Sequence, residues 1–339
     1  MIYKVNGFGN PFEENKLLKR DCLLSSLIAT MKITGVNLSL EEIILSSKAL
    51  RLELFDVNST GTLKVMGLMG ISRDLLRQFA NTELVSIEHY SKLDKNEDFQ
   101  HIVDALKNNC GIIAQVDMYD FMYTQNPNLK KYFPQNRHMT LHYVIIDGVD
   151  TDSNTLHIQE TMLKTFKEKE FWIDYDDFDK TRICNWLDFN INREIFIIKE
   201  KGKTQYVLNK KDLVNQLNIL KHDAEVSISK IYELFDAASR NQKYIDRYWR
   251  AITAILDMSV WFDPSGYFFR KYLSNIVSSI VNDTTIKKQY EQLADCWGRF
   301  CIRIRKIKNT NDCINIWKDL IDIIRKEFDV HVNTISLLK

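Results

Sequence analysis

Leu24, Leu27, Ile28 and Met31 recur at the i, i+3, i+4, i+7 spacing of one helix face. Asp21 is placed to cap that helix and Gly35 to end it. A second helix is predicted to start in Leu38-Ser39-Leu40-Glu41-Glu42, where Ser39 precedes acidic residues suited to a first turn. Residues 72–80 and 97–108 read as further helices. The period then becomes that of strands. Gly111 to Tyr119 is a β-like run, and Leu141 to Ile146 and Thr155 to Gln159 are two strands joined by a short polar turn through Asp152 to Asn154. Glu194 to Lys199 supplies another strand. Residues 124–138 contain Pro127 and Pro134 and read as an exposed loop. Helices followed by strands predict an α+β domain with an antiparallel sheet over residues 1–200.

From Asn209 the pattern is helical to the end. Leu213, Leu217, Leu220 and Ala224 form one stripe; Ile245, Tyr248, Ile252, Ile255 and Leu256 form another, and 285–304 and 313–328 continue the series. The clearest break is the turn Trp261-Phe262-Asp263-Pro264-Ser265-Gly266. Residues 201–339 are therefore expected to form a separate domain of four or five helices.

The composition narrows the classes. Of 339 residues, 45% are hydrophobic and 27% charged, as in an ordinary globular protein. No run reaches the roughly 18 apolar residues of a membrane span, and the N-terminus lacks a secretion signal. A cytoplasmic location away from membranes is the expectation. Six cysteines (22, 110, 184, 296, 301 and 313) show no C-x-x-C spacing, which argues against a disulfide framework and a zinc site. No metal and no enzyme-bound cofactor are expected. The net charge of +1 gives no reason to expect nucleic-acid binding. It is unevenly spread: residues 1–200 carry 23 basic and 29 acidic side chains, residues 201–339 carry 23 and 16.

Three residues stand out chemically. Cys22 sits at the first turn of a predicted helix, where unpaired N–H groups and the helix dipole favour a thiolate and can stabilise an oxyanion. A small buried hydrophobe is the commoner role of such a cysteine. His142 heads one strand and Glu160 ends the next; in a hairpin those ends are neighbours, so they can form either an imidazole–carboxylate pair or an unremarkable surface pair. His138 falls in the Pro-flanked loop and His157 inside a strand, where a solvated and a buried hydrogen-bonded histidine are expected.

Cysteine on an early helix, histidine at a strand start and a carboxylate one strand later is the chain order of papain-like enzymes. Cys22-Leu23-Leu24-Ser25-Ser26-Leu27, Gly35, Leu38-Ser39-Leu40-Glu41-Glu42, Val116-Asp117 and His142-Tyr143-Val144-Ile145-Ile146-Asp147-Gly148, with Glu160 after them, resemble the butirosin biosynthesis protein H type of acyltransferase. That family is a papain-like relative of the C39 peptidases. The resemblance implies a papain-like domain over 1–200 and a helical domain over 201–339, with Cys22 as nucleophile, His142 as base and Glu160 orienting it. It also implies transfer of an acyl group to an amine, a diamine among the candidates, in natural-product assembly of the closthioamide kind. The donor would be an acyl carrier protein thioester on a phosphopantetheine arm. Three features depart from the family: Glu160 stands where Asp is commoner, Lys19-Arg20-Asp21 replaces Gly-His before the cysteine, and no upstream Gln is present, leaving Asn15 as a substitute oxyanion donor. Arg303, Arg305, Lys306 and Lys308 form either a docking patch for an acidic carrier or a solvated helix face. A C39-like peptidase and a non-catalytic binding protein on a degenerate papain-like fold are the competing readings.

Overall fold

The computed structural model describes residues 1–9, 21–56, 66–72, 74–82, 84–117, 120–121, 141–160, 170–186, 189–199, 205–240, 245–262 and 267–339. In chain order the elements are β1 (Ile2–Lys4), α1 (Cys22–Met31), α2 (Leu40–Ser47), β2 (Leu50–Asp56), β3 (Met66–Ile71), α3 (Leu75–Ala80), β4 (Ser86–Tyr90), α4 (Lys95–Lys107) and β5 (Gly111–Asp117). There follow β6 (Leu141–Asp150), β7 (Thr155–Gln159), β8 (Glu170–Asp174), α5 (Tyr175–Lys180), β9 (Ile183–Trp186), β10 (Phe189–Asn192) and β11 (Ile195–Lys199). Among the described residues, five helices close the chain: α6 (Lys210–Arg240), α7 (Ile245–Phe262), α8 (Arg270–Ile280), α9 (Thr284–Ile304) and α10 (Thr310–Leu338). The protein is thus α+β with a C-terminal helical region. No helix among the described residues is long and apolar enough to cross a membrane.

Two compact units divide the chain, Met1–Leu38 with Phe79–Gln205, and Ser39–Gln78 with Tyr206–Lys339. The first holds an antiparallel sheet of order β4-β11-β5-β6-β7-β8, with β1 also paired to β6. One apolar layer joins the sheet residues Ile112, Ala114, Val116, Val144, Ile146 and Ile158 to Ile102, Val103 and Leu106 of α4. Helix α4 is fixed at its start by a capping box in which Asp94 and Glu97 satisfy each other's backbone N–H groups. Beneath the layer, Arg182 and Asp98 form a fully buried pair that Tyr175 joins through its hydroxyl. Helix α1 packs on β5 and β6, and Gly111 is what allows it: a Cβ there would lie 2.3 Å from Thr30 Cγ2 and 2.7 Å from Ile33 Cδ1.

The second unit differs from the expected division at residue 200. Residues 39–78 belong with the C-terminal helices, for a hydrogen-bonding reason. Strand β2 pairs with β3 on one side, and its other edge is satisfied by side chains of α6 instead of by a strand. The Gln216 amide accepts from Leu50 N–H at 3.2 Å and donates to its carbonyl at 2.9 Å. Asp223 accepts from Leu52 N–H at 3.0 Å, Ser227 donates to the Leu52 carbonyl at 2.8 Å, and Lys230 donates to that of Leu54 at 2.6 Å. A sheet edge that finds its donors and acceptors on a helix stays with that helix.

Candidate active site

The site is built by α1, β6 and the end of β7. Helix α1 begins at Cys22 because Asp21, in extended conformation, caps it: its side chain accepts from Leu24 N–H at 2.8 Å. Ser25 Oγ donates to the Asp21 carbonyl at 2.5 Å, and Ser26 Oγ donates to the Tyr143 carbonyl of β6 at 3.4 Å. The helix start is therefore tied locally to its cap and laterally to the strand carrying His142. Cys22 is half-buried, at the position where the helix N–H groups lack intrahelical partners.

His142 lies second in β6, opposite Val116 of β5, and is 1% exposed. Its Nε2 is 2.7 Å from Oε1 of Glu160, which is fully buried. The thiol of Cys22 is hydrogen-bonded to the same imidazole. With Nε2 given to Glu160, Nδ1 is the nitrogen left for sulfur. The structure therefore brings together all three residues singled out from the sequence. The His142 imidazole is held at about 10: burial pushes it down, but the electrostatic pull of Glu160 and of Cys22, with the hydrogen bonds to both, outweighs that. Both partners thus favour the protonated ring.

Phe121, fully buried, has its ring centroid 6.3 Å from that of His142 and also meets Phe171 and Phe178. These aromatic rings give the imidazole an apolar neighbour beside its two polar ones. It was missed in the sequence because Phe121 falls beyond the end of the apolar run, where periodicity carries no signal.

His157 is 5% exposed and hydrogen-bonded, as expected of a strand histidine; its acidic partner is Asp147, at 2.5 Å. Asn15, His138 and the loop 124–138 lie outside the described residues. Arg303 of the basic cluster is paired with Asp319 at 2.6 Å. Among the described residues no group of three or more His, Cys, Asp or Glu side chains is arranged to hold a metal. Compared with family models, with curated proteins and with solved structures, the chain matches none.

Proposed function

We propose that the protein is a cysteine-dependent acyltransferase of papain-like type that moves an acyl group from a carrier-protein thioester to an amine. The observation that carries this reading is the buried imidazole of His142 joined to Cys22 and to Glu160. A nucleophile, a base and a group orienting the base in hydrogen-bonded series is the arrangement acyl transfer needs.

The Cys22 thiolate attacks the thioester carbonyl, and the N–H groups at the start of α1 stabilise the oxyanion. The carbon–sulfur bond to the carrier breaks, and the departing thiolate takes the His142 proton. An S-acyl enzyme and a neutral imidazole remain. The amine then attacks the acyl carbon, His142 accepts its proton, and Cys22 leaves as a thiolate. An acyl thioester and an amine have become an amide and a thiol, with the enzyme restored and no energy-rich co-substrate consumed. Acylation removes Cys22 as one of the two partners that raise the His142 pKa, so the imidazole becomes a better base when the amine needs one. The butirosin-type resemblance supports a phosphopantetheine-borne donor and an amine, or diamine, acceptor.

The reading is tested by intact-mass measurement after incubation with an acyl-pantetheine thioester. It predicts one acyl adduct on Cys22, discharged faster by added amines than by water, and no adduct in Cys22→Ala. Cleavage of peptides would favour a peptidase, and absence of any adduct a binding protein.

A further inference from the structure

We propose that Asp147 is the positioning residue that brings Glu160 to His142: it is the extra residue of a β-bulge, and by clamping β7 it sets the face of the sheet on which Glu160 lies. The importance of that contact rests on the proposed function, whereas the claim about register does not.

Strand parity decides the face on which Glu160 lies. Near the hairpin turn Gly148 faces His157; one step further along β7, Ile158 faces Ile146. Asp147 is passed over by the ladder. Beyond it Ile145 faces Gln159, so the next position, Glu160, falls beside Val144. Val144 and His142 are two apart on β6 and share a face, which makes Glu160 a diagonal neighbour of His142. Paired one to one from Gly148, the same residues would set Asp147 against Ile158, Ile146 against Gln159 and Ile145 against Glu160. Glu160 would then lie on the face away from His142, because a slip of one residue reverses every side chain.

Several contacts hold the bulge. The Asp147 carboxylate meets His157 Nδ1 through Oδ1 at 2.5 Å and accepts from Gln159 Nε2 through Oδ2 at 2.7 Å. His157 and Gln159 are two apart on β7, so one carboxylate spans the face of that strand. The Asp147 carbonyl accepts from Val5 N–H at 2.8 Å, which continues the β1–β6 ladder and ties the bulged residue to β1 on the side away from β7. Gly148 leaves room for the close approach: a Cβ there would lie 3.0 Å from the His157 Cβ. His157 Nε2 faces Lys4 Nζ at 3.5 Å, and the ring stands edge-on to Trp172 at 5.0 Å. Asp147 is 1% exposed, so these partners are what satisfy it. The one-to-one ladder would turn the same carboxylate into the apolar layer beside Ile158, without a partner. Asp147 therefore favours the bulged register and penalises the other.

The test uses the full chain with Asp147→Val, Asp147→Asn and a deletion of residue 147. Two readouts are followed, the titration of the His142 imidazole by NMR and the alkylation rate of Cys22. Asp147→Val makes the one-to-one ladder acceptable. It should lower the His142 midpoint by about one unit or more and slow Cys22 alkylation near neutral pH about tenfold. Asp147→Asn should keep both near wild type, since the Gln159 amide can turn to accept from the new Nδ2. The deletion removes the extra residue but preserves parity, so it too should retain the His142–Glu160 contact; a role in packing alone makes the deletion the worst of the three. A folded Asp147→Val with unchanged His142 titration overturns the proposal, as does a folded deletion that loses the contact. Should Asp147→Val not fold, Gln159→Ala decides: a lowered His142 midpoint supports the clamp, and an unchanged one overturns it. None of these readouts requires acyl transfer. Failure of every thioester to acylate Cys22 would sink the proposed function and leave the register argument standing.

Discussion

At the scale of single residues, the proposed chemistry turns on what holds a proton on His142. Glu160 is the first of the two acidic partners that raise it. Glu160→Gln keeps the shape and removes the charge, so the imidazole should titrate closer to the ordinary histidine value of about 6.5. The proposed acyl transfer should fall by roughly ten-thousandfold, as when the carboxylate orienting a catalytic histidine is replaced by its amide. NMR titration and single-turnover acylation check both. A stability dependence follows with its sign. The folded pKa of about 10 lies above the unfolded value, so the contribution of His142 is fully present below about pH 6.5 and is lost as pH rises through 10. Urea denaturation should show wild type losing stability across that window, while His142→Gln, weaker at pH 6.5, loses less. A wild type that gained stability from pH 6.5 to 10 relative to the variant would refute the assignment.

At the scale of elements, helix α1 must sit close enough to β5 and β6 to deliver Cys22. Gly111 sets that approach, since Thr30 and Ile33 occupy the space a side chain would need. Gly111→Ala should destabilise the fold by roughly 1–3 kcal/mol through overpacking, measurable as a lower urea midpoint with unchanged slope. It should also slow Cys22 alkylation as the helix is pushed away. These elements also show what the sequence could reveal. The apolar stripe from Leu24 to Met31 with Asp21 before it, and the two runs around Asp152 to Asn154, gave α1 and the β6–β7 hairpin, because local periodicity and turn chemistry define them. Neighbouring strand ends in that hairpin joined His142 to Glu160, whereas Cys22 was added to them by the chain order of papain-like enzymes and not by local periodicity. The bulge at Asp147 was not legible, because a residue omitted from a ladder looks in sequence like any other strand residue. Strands β2 and β3 were missed for a related reason. The signal that could have found their partner lay far away: Gln216, Asp223 and Ser227 interrupt the apolar face of α6, and buried polar groups on a helix require something to bond.

At the scale of the whole molecule, the same polar residues decide where the chain can be divided. A cut at 200 follows the change from strands to helices, yet it separates α6 from the β2 edge it completes. Arg51 and Asp223 make this concrete. The guanidinium donates to both carboxylate oxygens, at 2.7 and 2.9 Å, while the same carboxylate takes the Leu52 N–H. Asp223→Ala, which leaves a buried N–H and a largely covered guanidinium without their acceptor, should cost about 3 kcal/mol. A fragment of residues 201–339 suffers this loss together with those at Gln216, Ser227 and Lys230, and it bares the apolar surface that β2 and β3 cover. It should therefore bind a hydrophobic dye and unfold without a sharp transition, although its helical circular dichroism persists. Adding a peptide of residues 39–78 should restore cooperativity, because that segment brings back the edge whose groups α6 is built to satisfy. A fragment that unfolds cooperatively at the full-length midpoint without the peptide would show that the helices do not need β2 and β3, and that sequence texture had marked the working boundary after all.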